Sequence, residues 1–120
     1  MTAPSSSSQY ELIKSVYEKH KINSEDITYV ETHGTGTKLG DPIEIKALSR
    51  AFADFTQKKN FCAVGSVKTN IGHTIASSGI VGLIKVLLSM KHKKFQLPYI
   101  LKRRMSILIS VIAHFLLILL

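Results

Sequence analysis

Apolar side chains recur along this chain with two different periods. Leu12, Ile13, Val16 and Tyr17 return at helical spacing, and Ser8 with Glu11 has the spacing of a capping box. Residues 9–20 are therefore predicted as an amphipathic helix. Ile27 to Glu31 (Ile-Thr-Tyr-Val-Glu) is β-branched and aromatic, the signature of a short strand. Glycines 34, 36 and 40 mark a loop after it. Asp41-Pro42-Ile43-Glu44 then reads as a helix start, with Asp at the cap, Pro at the first position and Glu at the third. Ile45, Leu48, Ala51, Phe52 and Phe55 give that helix its apolar face, and Phe61 to Val67 reads as a second strand. Residues 75–90 form a third helix, kept thin by Ala76, Gly79 and Gly82 and made greasy by Ile80, Leu83, Ile84, Leu87 and Leu88. A helix of that kind is expected to lie buried between other elements. The order α-β-α-β-α points to a layered α/β fold.

Composition narrows this picture. A length of 120 residues with 45% apolar side chains suits one small domain with a real core. A single thiol, Cys62, rules out an intrachain disulfide or a Cys-rich zinc module, and no metal-ligating set stands out. The start, Met-Thr-Ala-Pro, is not that of a secretory signal, so a cytoplasmic setting is expected. All eight acids lie in residues 1–54, which carry net −2, whereas residues 55–120 carry ten bases and no acid. Aromatics are not interleaved with those bases and no nucleic-acid motif is present, so nucleic acid is not an expected partner. The cluster Lys91-His92-Lys93-Lys94 reads as a solvated helix end that suits the helix dipole, or as a docking patch for an acidic carrier protein. From Leu101 the chain changes character: Lys102, Arg103 and Arg104 precede an apolar run from Ser106 to Leu120. That run is shorter than the ~20 residues a bilayer core needs, so residues 101–120 read as a marginal anchor or an unrelated terminus.

Two strand-to-helix loops carry the chemistry, the position where open α/β sheets place their sites. The first is Glu31-Thr-His-Gly-Thr-Gly-Thr-Lys-Leu-Gly-Asp41, the second Gly65-Ser-Val-Lys-Thr-Asn-Ile-Gly-His-Thr74. Neither matches a nucleotide-binding pattern. One histidine on each loop suggests a pair, His33 and His73, converging on one substrate atom. Two neutral imidazoles that each donate one N–H can stabilise an enolate or a tetrahedral oxyanion. Lys68, five residues before His73, is placed to hold a charge or orient an acid.

The stretches VETHGTGTKLGDPIEIKAL and VGSVKTNIGHTIASSGIVGLIK closely resemble the β-ketoacyl synthase family, above all the ketosynthase domains of polyketide and fatty acid synthases. The similarity runs from about Thr2 to about Pro98, which sets residues 1–100 apart as a partial synthase domain from its C-terminal half. The resemblance implies a partial thiolase-like fold and decarboxylative Claisen condensation of acyl and malonyl thioesters. It implies that His33 and His73 promote decarboxylation and stabilise the enolate, with Lys68 in the hydrogen-bond network around them. Thr35 and Thr37 resemble the pair that contacts the pantetheine arm, and Asp41 and Glu44 resemble supporting acids. No resident cofactor is implied; phosphopantetheine on an acyl carrier protein is the substrate arm.

The family's nucleophilic cysteine lies in an elbow well before the first motif, and Phe61-Cys62-Ala63-Val64 resembles no such elbow. Cys62 reads instead as a buried small hydrophobe. Ile75 stands where polyketide ketosynthases usually carry Glu, which removes a partner for Lys68. The expectation is a truncated ketosynthase that cannot run the reaction alone, with an acyl carrier protein or the missing synthase half as partner. The alternatives are a non-catalytic, tail-anchored or partner-binding protein, and an unstable gene remnant. His20, His92 and His114 read as ordinary surface or tail histidines.

Overall fold

A computed structural model of the chain describes residues 4–95 and the strand 115–117. Helix α1 spans Ser6–His20, strand β1 Tyr29–Glu31, helix α2 Gly40–Ala53 and strand β2 Cys62–Gly65. A short helix α3 (Lys68–Ile71), a 3-10 turn (Ile75–Ser77), helix α4 (Ser78–His92) and strand β3 (Phe115–Leu117) follow. The strands form one parallel sheet in the order β1-β2-β3, with Tyr29 opposite Ala63, Val30 opposite Val64 and Glu31 opposite Gly65.

Strand alternation sorts the side chains onto two faces. Val30, Cys62 and Val64 join Ile45, Leu48 and Phe52 of α2, with Ile13 and Tyr17 of α1 packed against them. Tyr29 and Glu31 point the other way and meet Lys85 of α4. The sheet therefore lies between α1/α2 and α4, the expected α/β layering. Tyr17 packs edge-on against Phe52 at 5.9 Å, and Tyr10, Ala47 and Ala51 seal the α1–α2 contact.

Both helix starts differ from their sequence reading. Ser5, not Ser8, caps α1: its backbone is extended and its Oγ accepts the Ser8 amide. With four consecutive serines the earliest one able to cap adds helical hydrogen bonds, so the helix begins there. Helix α2 begins at Gly40, whose N–H is taken by Thr37 Oγ1 at 3.1 Å. Asp41 is thus inside the first turn and its carboxylate turns back onto the preceding loop. Pro42 still costs no hydrogen bond, because first-turn amides have no helical partner.

The third helix also departs from expectation. Ile80, Leu83, Ile84, Leu87 and Leu88 are 48–56% exposed, and only Gly82 and Lys85 are buried. Among the described residues nothing covers that greasy face. Gly82 does permit close packing, since a Cβ there would lie 3.3 Å from Glu31 Cγ, whereas Gly79 faces open space. By length and composition Ile75–His92 could cross a membrane, with mean hydropathy 1.3. Its packing on the sheet through Lys85 and Gly82 makes it a layer of an α/β fold instead. Lys93 ends α4 in the left-handed region, and Lys91 and His92 in the last turn complement its dipole. The proposed tail boundary at residue 101 and His114 fall outside the described residues.

Candidate active site

The first loop is held by carboxylates from the helix it enters. Glu44, one turn into α2, accepts the His33 amide at 2.7 Å and the Gly34 amide at 3.0 Å. Asp41 accepts the Gly36 amide at 3.0 Å. Burial, with the neighbouring Glu44 charge, raises the Asp41 carboxyl above the ordinary range, against the pull of the Gly36, Thr37 and Thr35 amides. These charge-assisted bonds satisfy amides that no strand or helix partners, so the loop has a fixed shape.

The second loop docks directly on the first. Thr32 donates both its amide (2.8 Å) and its hydroxyl (3.0 Å) to the Gly65 carbonyl. Ser66 Oγ donates to the Gly34 carbonyl at 3.0 Å and approaches the His33 carbonyl at 3.4 Å. Gly34 has φ +38°, and a Cβ on it would lie 2.7 Å from Ser66 Cβ, so only glycine fits. After α3 the chain reverses at Gly72, with φ +82°, a conformation glycine adopts without strain. That reversal returns His73 to the first loop.

The two imidazoles meet. The ring centroids of His33 and His73 are 5.3 Å apart and the planes are nearly perpendicular, at 86°. Both residues are exposed, so a ligand can reach the pair. Edge-to-face rings at this spacing can direct N–H donors to a common point beside the pair, as an oxyanion requires.

The remaining sequence-predicted residues are placed less uniformly. Lys68 opens α3 and is 8% exposed, and among the described residues no carboxylate lies within ion-pair distance of it. Ile75 is 78% exposed with φ +48°, an unfavourable conformation for a β-branched residue, and supplies Lys68 with no partner. Thr35 is half-buried, and among the described residues its hydroxyl has no partner; the Thr37 hydroxyl serves the start of α2. Cys62 is fully buried in the core, and burial pushes its thiol up to about 11. It is a packing residue, as its setting suggested. No cluster of three His, Cys, Asp or Glu occurs among the described residues.

Sequence reasoning missed a polar cluster beside the pair. Glu31, Tyr29 and Lys85 form a buried hydrogen-bonded group behind the two loops, with Lys85 Nζ 2.8 Å from Glu31 Oε2. Its signal was available: a lone Lys within an apolar helix and a lone Glu at a strand end each need a partner once buried.

A parallel sheet flanked by helices, with two histidine loops converging beyond the carboxyl ends of its strands, defines part of a condensing-enzyme fold of the thiolase type. Residues 1–99 match the family described as Beta-ketoacyl synthase, C-terminal domain, and the chain belongs to that family. It is 59% identical over 93 residues to the polyketide synthase PksL of Bacillus subtilis strain 168, covering 78% of this chain and 2% of that protein. It is 51% identical over 92 residues to the reducing polyketide synthase hmp8 of Hypomyces subiculosus, covering 77% of this chain and 4% of that one. Among solved structures, the ketosynthase from module 6 of the Bacillus subtilis 168 bacillaene synthase superposes with TM-score 0.75 at 55% identity. That match covers 81% of this chain and 18% of the ketosynthase. The oxazolomycin ketosynthase domain OzmH KS7 of Streptomyces albus JA3453 gives TM-score 0.69 at 41% identity, covering 75% and 16%. The chain thus spans a small part of the relatives it matches.

Proposed function

We propose that this chain supplies the decarboxylating half of a polyketide ketosynthase site and completes the reaction only with polypeptide that brings the acyl-carrying cysteine. The single observation that carries this reading is the edge-to-face contact of His33 and His73 at 5.3 Å. Malonyl on a carrier-protein pantetheine would enter with its thioester carbonyl between the two rings. Loss of CO2 leaves an enolate whose oxygen accepts N–H bonds from both imidazoles, which lowers the barrier because the charge forms where the donors already point. The Thr35 hydroxyl, which has no partner among the described residues, suits a contact to the pantetheine arm, with Thr37 beside it. Lys68, buried at the start of α3, is assigned to the network that supports the pair, and Asp41 and Glu44 hold the first loop in place.

The enolate must then attack an acyl thioester. Cys62 is no candidate for holding it, since its thiol is buried and protonated at neutral pH. Without a thiolate there is no acyl-enzyme, so the isolated chain is expected to be inert in condensation. The partners implied are an acyl carrier protein, for which Lys91 to Lys94 offer a basic surface, and the cysteine-bearing part of a synthase.

The test uses malonyl carrier-protein thioester and measures CO2. The chain alone is expected to release none above background. Mixed with the cysteine-bearing part of a related ketosynthase, it is expected to restore release, and His73→Ala is expected to slow it about 10²–10³-fold. Release by the chain alone that disappears in His73→Ala would overturn the claim that it is incomplete. Restored release that His33→Ala and His73→Ala leave untouched would overturn the assignment of the site.

A further inference from the structure

Glu31 lies behind both histidine loops and touches three elements at once. Its Oε1 accepts the Val67 amide, at the entry to α3 and six residues before His73. Its Oε2 accepts from the Tyr29 hydroxyl at 2.5 Å and from Lys85 Nζ of α4 at 2.8 Å. Lys85 Nζ also donates to the Tyr29 oxygen at 2.9 Å, which closes a three-membered ring of bonds. The Glu31 and Lys85 side chains are 13% and 8% exposed. Glu31 itself is two residues from His33.

We propose that Glu31 and Lys85 are positioning residues that fix the separation of the His33 and His73 rings. The inference rests on reading that pair as the site. The first loop leaves β1 at Glu31, the second enters α3 at Val67, and α4 follows the His73 turn; one carboxylate ties all three. A buried ion pair with its other lone pairs hydrogen-bonded is directional, whereas apolar contact would leave the loops free to slide. The surroundings are shaped around it. Gly65 faces Glu31 in the sheet register, and a Cβ there would lie 2.5 Å from the Tyr29 hydroxyl and 3.2 Å from Lys85 Nζ. Tyr29 is stacked on Phe95 at 4.7 Å, which orients its hydroxyl toward the pair. Burial, reinforced by Glu31, holds the Tyr29 phenol well above its usual range, so it remains a donor.

The test is the through-space proton cross-peak between the two imidazole rings in the full chain labelled at histidine. The signal falls with the sixth power of distance, so a displacement of about 1 Å weakens it several-fold. Glu31→Gln keeps shape but removes charge, Lys85→Met removes the cation, and both are expected to weaken the cross-peak several-fold while helical circular dichroism persists. Lys85→Arg keeps the cation and is expected to retain it. Asp54→Asn, which breaks the Lys14–Asp54 ion pair (3.0 Å) between α1 and the end of α2, is expected to lower stability and leave the cross-peak unchanged. If Lys85→Met does not fold, Tyr29→Phe reads the same coordinate by deleting only the bridging hydroxyl, and is expected to weaken the signal. Wild-type intensity in folded Glu31→Gln, Lys85→Met or Tyr29→Phe would overturn the proposal, as would equal loss in Lys85→Arg and Lys85→Met. No thioester or turnover is involved, so failure here is distinct from failure of the CO2 assay.

Discussion

Ser66 Oγ donates to the Gly34 carbonyl at 3.0 Å, and a methyl group on Gly34 would lie 2.7 Å from Ser66 Cβ. The two loops are joined through this side-chain-to-backbone bond, and the close approach brings the two histidine loops together. Gly34→Ala would add both a left-handed strain and an overlap with Ser66 Cβ and Thr32 Oγ1. The expected loss is roughly 3 kcal/mol of unfolding free energy, read from urea titration. Wild-type stability in this variant would contradict the contact.

Glu44 carries the first loop on two amide bonds, at 2.7 and 3.0 Å. Bonds to an ionised acceptor are stronger than neutral ones, so Glu44→Ala is expected to cost about 2 kcal/mol. The local signature is sharper than the global one. Hydrogen exchange at the His33 and Gly34 amides is expected to accelerate far more than exchange in β2. By contrast Lys58→Ala, which removes the surface pair with Glu25, is expected to leave stability close to wild type.

Acid sensitivity has a defined sign at Asp54. The Tyr10 hydroxyl, at 2.6 Å, and then Lys14, at 3.0 Å, hold its carboxyl below the ordinary value of 3.8. A folded pKa below the unfolded one gives stability that is complete above the unfolded value and lost as pH falls through the folded value. Urea midpoints are therefore expected to fall below about pH 4, and Asp54→Asn is expected to flatten that limb. An acid limb of equal slope in both proteins would contradict the assignment.

The exposed face of α4 has a measurable consequence. Leu83 and Leu87 are 53% and 55% exposed among further apolar neighbours, a patch of the kind that drives association. Sedimentation of the chain is expected to show concentration-dependent self-association, reduced by Leu83→Lys with Leu87→Lys. A wild-type chain that stays monomeric as its concentration is raised would contradict this.

The order α1-β1-α2-β2-α4 and the two site loops were legible because helix period, strand alternation and glycine punctuation are local signals, whereas the short α3 and the strand β3 were not read. Cys62 was readable as a buried packing residue from its place in an apolar strand. Helix starts were not fixed by pattern alone, since Ser5 and Ser8, and Thr37 and Asp41, are rival caps that would start their helices at different residues. The burial of α4 was misjudged because composition says that a face is apolar, not what lies against it. Glu31 and Lys85 are separated by 54 positions, and only the fold brings their charges together. The histidine pair was readable as two motifs; its 5.3 Å contact depends on the Gly34–Ser66 approach, which no spacing encodes.

The most direct measurement is a double-mutant cycle on malonyl thioester decarboxylation in the complemented complex, using His33→Ala, His73→Ala and both together. Each single change is expected to slow CO2 release by about 10²–10³-fold, as loss of one oxyanion donor does. If both rings serve one oxygen, as proposed, the double variant falls well short of the product of the two losses. Losses that simply multiply, or a single histidine whose removal changes nothing, would contradict a shared carbonyl.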